Sequence, residues 1–219
     1  MEIKFIGHSC FEIKGKDTKL VIDPYDPEMI GYKLPGLNAD VVLVSHDHAD
    51  HSYVEGVKDY KLLIETPGDY EIEGTFIYGL KTYHDDKEGK ERGKNTIFQI
   101  IIDDFNILHL GDLGHELKTE TLEKISDVDV LMIPIGGTYT INAKKAVNVI
   151  SSLEPGIVIP MHYKTDDLGD LKDKLDDLDN FLTEFGVEEN GVKRLDKLTL
   201  RTKSDIPDES EIYVLNPQH

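Results

Sequence analysis

Short apolar runs separated by turn residues fill the first half of the chain. Glu2-Ile3-Lys4-Phe5-Ile6 opens it as a strand-like segment. Lys19 to Asp23 and Val41 to Val44 are apolar and bordered by turn formers. Thr75 to Thr82 and Thr96 to Ile102 are rich in β-branched and aromatic residues, the composition of strands. Asp103-Asp104 predicts a hairpin tip ahead of a further strand over Phe105 to Leu110. Periodicity alone does not separate such runs from buried helix, but their length and their Gly, Pro and Asp borders favour strand.

The pattern changes in the second half. Glu116 to Ile125 predicts a helix and Val130 to Ile135 a strand. Ala143, Ala146, Val147 and Ile150 share one helical face in Asn142 to Leu153, which ends before the terminator Glu154-Pro155-Gly156. Ile157 to Pro160 reads as another buried strand. Leu168, Leu171, Leu175, Leu178 and Leu182 form one apolar stripe, predicting an acidic helix. Leu198 to Arg201 and Glu211 to Leu215 read as edge strands. With no linker and no repeat, the expectation is a single domain over residues 1–219, two packed sheets with helices outside.

Composition narrows the class. Hydrophobic residues are 39% and charged residues 31% of the chain, as in a globular enzyme. No apolar run approaches the ~20 residues that span a bilayer, and no signal peptide is visible. The single cysteine, Cys10, cannot form an internal disulfide and fits a reducing compartment. The expectation is a cytoplasmic protein with no membrane partner. The net charge is −19, from 24 basic and 43 acidic residues, and repels nucleic acid. The acidic run from Thr165 to Asp173 reads as a solvated helix face.

One segment carries chemistry. After the buried run Val41-Val42-Leu43-Val44, the six residues His46-Asp47-His48-Ala49-Asp50-His51 hold three histidines and two aspartates. Alternate side chains of an extended chain point the same way, so His46 and His48 can reach one ion. Asp50 and His51 follow as the chain turns and can reach a second ion about 3.5–4 Å away. Imidazole with carboxylate suits zinc, and also iron, manganese or nickel. Further ligands must come from elsewhere. Three segments place a polar group just after an apolar strand: Gly79 to His84, Leu108 to Asp112, and Ile157 to Tyr163.

His46-x-His48-x-Asp50-His51 resembles the signature of the metallo-β-lactamase superfamily. Asp23 in Ile22-Asp23-Pro24, then His84, Gly111-Asp112 and His162 follow in matching order. Gly7-His8-Ser9 and Pro160-Met161-His162-Tyr163 resemble the branch of lactonase-like metal-dependent hydrolases. The resemblance covers roughly Met1 to Thr165. It implies an α+β fold, the four-layer αββα sandwich, with two metal ions at one edge of the sheets. It further implies His46, His48 and His84 on the first ion, Asp50, His51 and His162 on the second, and Asp112 between them. Asp23 and His109 are expected to support these ligands from behind. His115, three residues past Asp112, departs from the pattern and competes with His84 for the first ion. His8, His115 and Tyr139 are candidates for the substrate side.

The resulting expectation is hydrolysis of a small-molecule lactone, ester, amide or phosphodiester by water held between the metals, with Asp50 as catalytic carboxylate. No Ser-centred nucleophile elbow and no phosphate-binding glycine loop offers a rival nucleophile. The alternatives are a nuclease of the same fold, opposed by the acidity, and a non-hydrolytic metal-bound redox or ligand-sensing protein. Asp85 to Asn95 and Gly136 to Thr140 are expected to shape the pocket, with Arg92, Lys94 and Lys164 as candidates to meet an anionic group. His219 is expected to be a loose terminus. Oligomeric state and substrate identity are not readable from the residues.

Overall fold

The computed structural model describes all residues from Met1 to His219. Two sheets carry the fold. The first orders its strands Leu198–Thr199, Glu2–Gly7, Cys10–Lys14, Lys19–Ile22, Val41–Leu43, Leu62–Ile64. The second orders Lys193–Leu195, Glu211–Leu215, Ile157–Met161, Val130–Pro134, Phe105–His109, Lys94–Ile102, Thr75–Tyr83, Gly68–Ile72. Asp103 and Asp104 both take positive φ (52° and 67°) and form the expected hairpin tip.

The apolar runs are buried on both faces, and alternation sorts them into layers. Phe5, Phe11, Ile13, Leu20, Ile22, Val41 and Leu43 meet Phe98, Ile100, Ile107, Val130, Met132 and Ile159 in a core between the sheets. Leu108, Leu131, Ile133 and Val158 point the other way, under helices Ala143–Leu153 and Leu178–Phe185. Val21, Val42 and Val44 face the opposite exterior. There the cover is thin: a four-residue helix, Pro27–Ile30, and a loop carrying Leu168, Leu171 and Leu175. The αββα sandwich is therefore present with one slender outer layer. No helix is long and apolar enough to cross a membrane.

The leucine stripe is the main departure from the sequence pattern. It forms no single helix. Asp177 accepts from the Asn180 N–H at 3.0 Å and starts the helix at Leu178, while upstream there is only one 3-10 turn, Lys172–Lys174. Leu168, Leu171 and Leu175 pack on the first sheet, Leu178 and Leu182 on the second. One straight helix cannot face both. The helix expected over Glu116 to Ile125 shrinks to Thr119–Leu122, which buries no residue and has no side-chain cap. Glu211–Leu215 is not an edge strand, because Lys193–Leu195 pairs on its outer side. His219 is not loose: its ring stacks on Tyr32 with centroids 4.0 Å apart.

Strand directions gather the candidate site. Glu2–Gly7, Lys19–Ile22 and Val41–Leu43 run the same way in the first sheet. Thr75–Tyr83, Phe105–His109 and Ile157–Met161 share one direction in the second. His8, Asp23, His46, His84, Asp112 and His162 each follow the C-terminal end of one of these strands. Sheets carry ligand sites at such carboxyl edges. His8, Asp23 and His162 take positive φ (56°, 47° and 51°) as the chain turns away. Left-handed backbone at non-glycine residues costs about 1–3 kcal/mol and concentrates at functional sites.

Candidate metal centre

Three overlapping groups bring their ligand atoms within 4.8 Å of one another. They are His46, His48 and His84; His46, His51 and Asp112; and His8, Asp50, His51 and His162. Asp112 lies between the others. Its Oδ2 is 3.2 Å from His84 Nε2 and 3.1 Å from His162 Nε2, and its Oδ1 is 3.3 Å from His51 Nε2. The segment from His46 to His51 turns because the His51 and Ser52 N–H groups both bond the His48 carbonyl.

The buried Asp23 sets the orientation of two rings. Its Oδ1 accepts from the Ser45 N–H at 2.7 Å, and its Oδ2 accepts from Ser45 Oγ at 2.7 Å and His51 Nδ1 at 2.9 Å. Ser45 Oγ, having given its proton to Asp23, accepts from His46 Nδ1 at 2.9 Å. Both imidazoles therefore carry hydrogen on Nδ1 and turn Nε2 into the cluster, the arrangement that orients histidine for a metal. Burial would raise the Asp23 pKa, but the hydrogen bond and charge of His51 outweigh it and hold the carboxyl below its usual range.

His109 also stands behind the cluster. Its Nε2 donates to the Ser9 carbonyl at 3.1 Å and its Nδ1 accepts from the Gly111 N–H at 3.1 Å, tying the turn after Glu2–Gly7 to the turn that carries Asp112. Asn95 completes this frame: its Nδ2 donates to Thr82 Oγ1 and the Leu110 carbonyl, and its Oδ1 accepts from the Asp112 N–H at 3.0 Å. Gly111, at φ 51°, leaves no room for a side chain, since a Cβ would collide with Asn95 Oδ1 and Ser45.

The three substrate-side candidates part company. His8 lies beneath Asp50, its side chain 0% exposed, with Nε2 3.3 Å from Asp50 Oδ2 and its ring 4.2 Å from that of His162. It belongs with the cluster, not with the cavity above it. His115 is outside: Nε2 accepts from the Tyr83 N–H and Nδ1 donates to the Glu116 carbonyl at 2.7 Å. The group with His46 and His48 is completed by His84. Tyr139 lines a cavity of about 450 Å³ together with Asp50, His84, Asp112 and His162.

The donor set fits metal. Buried polar atoms normally have partners. Of the eight buried side-chain nitrogens and oxygens without one, six belong to His8, His46, His51, His84, Asp112 and His162. The protonation preferences of His46 and Asp112 are those of ligands, a neutral imidazole and an ionised carboxylate. Burial and the charge of His51 push His46 down to about 3. Burial pushes against ionised Asp112, yet His162 and His51 hold it well below the usual carboxylate range. Imidazole nitrogens and two carboxylates, Asp50 and Asp112, are the ligands that zinc and neighbouring transition metals take.

A family profile described as "Beta-lactamase superfamily domain" matches residues 2–162. The chain belongs to the metallo-β-lactamase superfamily. A UPF0173 metal-dependent hydrolase from Thermoplasma volcanium is 32% identical over 195 residues, covering 77% of this chain and 86% of that protein. A second from Pyrococcus horikoshii is 30% identical over 193 residues, 75% of this chain and 85% of its own. The solved structure of a candidate zinc-dependent hydrolase of the superfamily from Thermotoga maritima is 36% identical, covers 99% of both chains and superposes with a TM-score of 0.80. The segment after Thr165, where the motif resemblance stops, is thus shared with that relative. A diiron β-hydroxylase from Streptomyces venezuelae, 16% identical with a TM-score of 0.55 over 74% of this chain and 44% of its own, shares the fold alone.

Sequence reading placed Asp85 and Asn95 in a pocket-shaping loop but missed their individual roles and that of Ser45. Ser45 was legible in principle, as the hydroxyl between a buried strand and the first histidine. Asn95 had no local signal, because its partners lie across the sheet. Asp85 accepts from the N–H groups of Lys87, Gly89, Glu91 and Arg92, between 2.8 and 3.0 Å, and so shapes the loop after His84. Aspartate followed by glycine a few residues on is a turn signal of that kind.

Proposed function

We propose that this metal-dependent hydrolase works with two divalent ions, zinc by the character of its donors, on a small-molecule lactone, ester, amide or phosphodiester. The observation that carries the reading is the convergence of buried imidazole nitrogens of His51, His84 and His162 on the buried carboxylate of Asp112. His46, His48 and His84 would hold one ion, Asp50, His51 and His162 the other, with Asp112 shared. Ions bound there supply Lewis acidity and bring the pKa of water toward neutrality.

The residues around them divide the remaining work. Asp50 and Asp112 both join a ligand group and line the cavity, but the Asp50 carboxylate is the more exposed of the two, so it is the one placed to orient water and accept its proton. His8 braces Asp50 from below. Tyr139 presents a hydroxyl-bearing ring to the same cavity and can donate to a developing oxyanion. The cavity volume is that of a small-molecule site, and a chain of net charge −19 repels a long polyanion at a distance.

Elemental analysis after dialysis, paired with a hydrolysis screen of the loaded protein over lactones, thioesters and phosphodiesters, tests the reading. The expected result is close to two zinc ions per chain and turnover in one ester class. Saturation near one ion would defeat the two-ion assignment. Iron loading with no hydrolysis would defeat the hydrolytic one.

A further inference from the structure

We infer that the substrate of this centre carries an anionic group, a carboxylate or a phosphate, held between Arg92 and Lys174 in the cavity that the candidate metal ligands also line. The inference rests on the hydrolase reading above and adds the substrate class. Asp50, His84, Asp112 and His162 line the 450 Å³ cavity, and Arg92 and Lys174 line it with them. Arg92 additionally lines the adjoining cleft, so it stands at the junction of the two spaces.

The argument begins with charge. The chain has 43 acidic residues for 24 basic ones, and several cations near this face are neutralised. Lys87 pairs with Glu91, Lys145 with Asp86, Lys118 with Glu88 and Lys172 with Asp166. Arg92 and Lys174 have no carboxylate partner. In so acidic a surface, cations left unpaired at a cavity wall are poised for an anion brought from outside.

Arg92 is also held in place. Its backbone N–H bonds Asp85 Oδ2 at 2.8 Å, anchoring it to the loop that Asp85 folds. Its Nη2 donates to the Thr138 carbonyl at 3.2 Å, and its guanidinium lies 4.9 Å from the centre of the Tyr139 ring. The contact with Thr138 uses one edge of a planar fork with five N–H donors, and the rest stays free for bidentate contact with carboxylate or phosphate. The backbone of Lys174 is fixed as well. The buried Leu171 and Leu175 flank it, and its N–H bonds the Leu171 carbonyl at 3.0 Å. Asp47 lines the cavity too, but exposed at its rim, while two divalent ions would more than neutralise Asp50 and Asp112. The loaded cavity is then locally cationic inside an anionic protein, which admits one small anion and still repels a polyanion.

The test titrates metal-loaded protein with inorganic phosphate, succinate and the neutral isostere succinamide by calorimetry, for wild type, Arg92→Gln, Lys174→Gln, Arg92→Lys and the double glutamine variant. Metal content and melting temperature are measured on each sample. Wild type is expected to bind at least one anion and not succinamide. Each single glutamine variant should weaken anion binding about tenfold or more, the scale of one charge-assisted hydrogen bond, and Arg92→Lys should keep part of it. Loss for phosphate marks a phosphorylated substrate, and loss for succinate a carboxylated one. Anion affinity equal to wild type in the double variant, with metals retained, overturns the inference and leaves the hydrolase reading intact. Absence of bound metal in wild type overturns the hydrolase reading instead.

Discussion

The two halves of the centre are built differently. His46, His48 and His84 form an all-histidine group, and His48 is exposed. His8, Asp50, His51 and His162 form a buried group with a carboxylate of its own, and its ring His51 is fixed by Asp23. Charge attracts a cation, and burial with braced ligands removes the entropy of ordering them on binding. The difference predicts unequal affinities, set by charge and burial. The buried half should bind its ion more tightly, and the exposed half should release its ion first to a chelator.

Asp112→Ala should have the largest effect, because it removes the group proposed to serve both halves. Metal affinity should fall by more than about 100-fold, beyond the usual cost of losing an outer partner, with elemental analysis finding both ions depleted. Retention of either ion at full occupancy would show that the halves are independent. Asp50→Asn comes next and separates them. Turnover should drop about 10²–10⁴-fold while the ion at His46, His48 and His84 remains. Near-wild-type turnover with both ions present would remove Asp50 from the chemistry.

Asp23→Asn should weaken the buried half selectively, by about 10–100-fold in affinity for its ion, since His51 loses the acceptor that fixes its tautomer. The same variant has a pH signature. The Asp23 pKa is lowered in the fold, so the stability it contributes is complete above the ordinary aspartate range and is lost as pH falls through the lowered value. Melting curves of the apo protein across acidic pH should be flatter for Asn than for Asp, and parallel curves would contradict this. His115→Ala should do least. Its ring bonds only local backbone, so both ions should stay, and loss of the first would reinstate it over His84.

The legibility of the centre followed the locality of its parts. His46 to His51 were visible because six consecutive residues carry most of the proposed ligand set. His84, Asp112 and His162 were visible through order along the chain. The frame around them was not. Asn95 reaches Thr82, Leu110 and Asp112 through strand pairing, and no spacing along the chain encodes that. His8 was misplaced on the substrate side for the same reason, since its depth beneath Asp50 depends on how two strand ends meet.

The leucines from Leu168 to Leu182 show the same division in the fold. Their spacing matches a helical face, yet they are shared between two cores on opposite exteriors of the sandwich. By itself the sequence determined the strands, through runs apolar enough to be buried on both faces, and the ligand types, through residues with few other uses in such density. Tertiary structure decided which strand ends share an edge, which histidine faces the cavity, and where the leucine segment breaks. Those depend on contacts between residues far apart in the chain, where burial and hydrogen bonding outweigh the roughly 1 kcal/mol preferences that local pattern expresses.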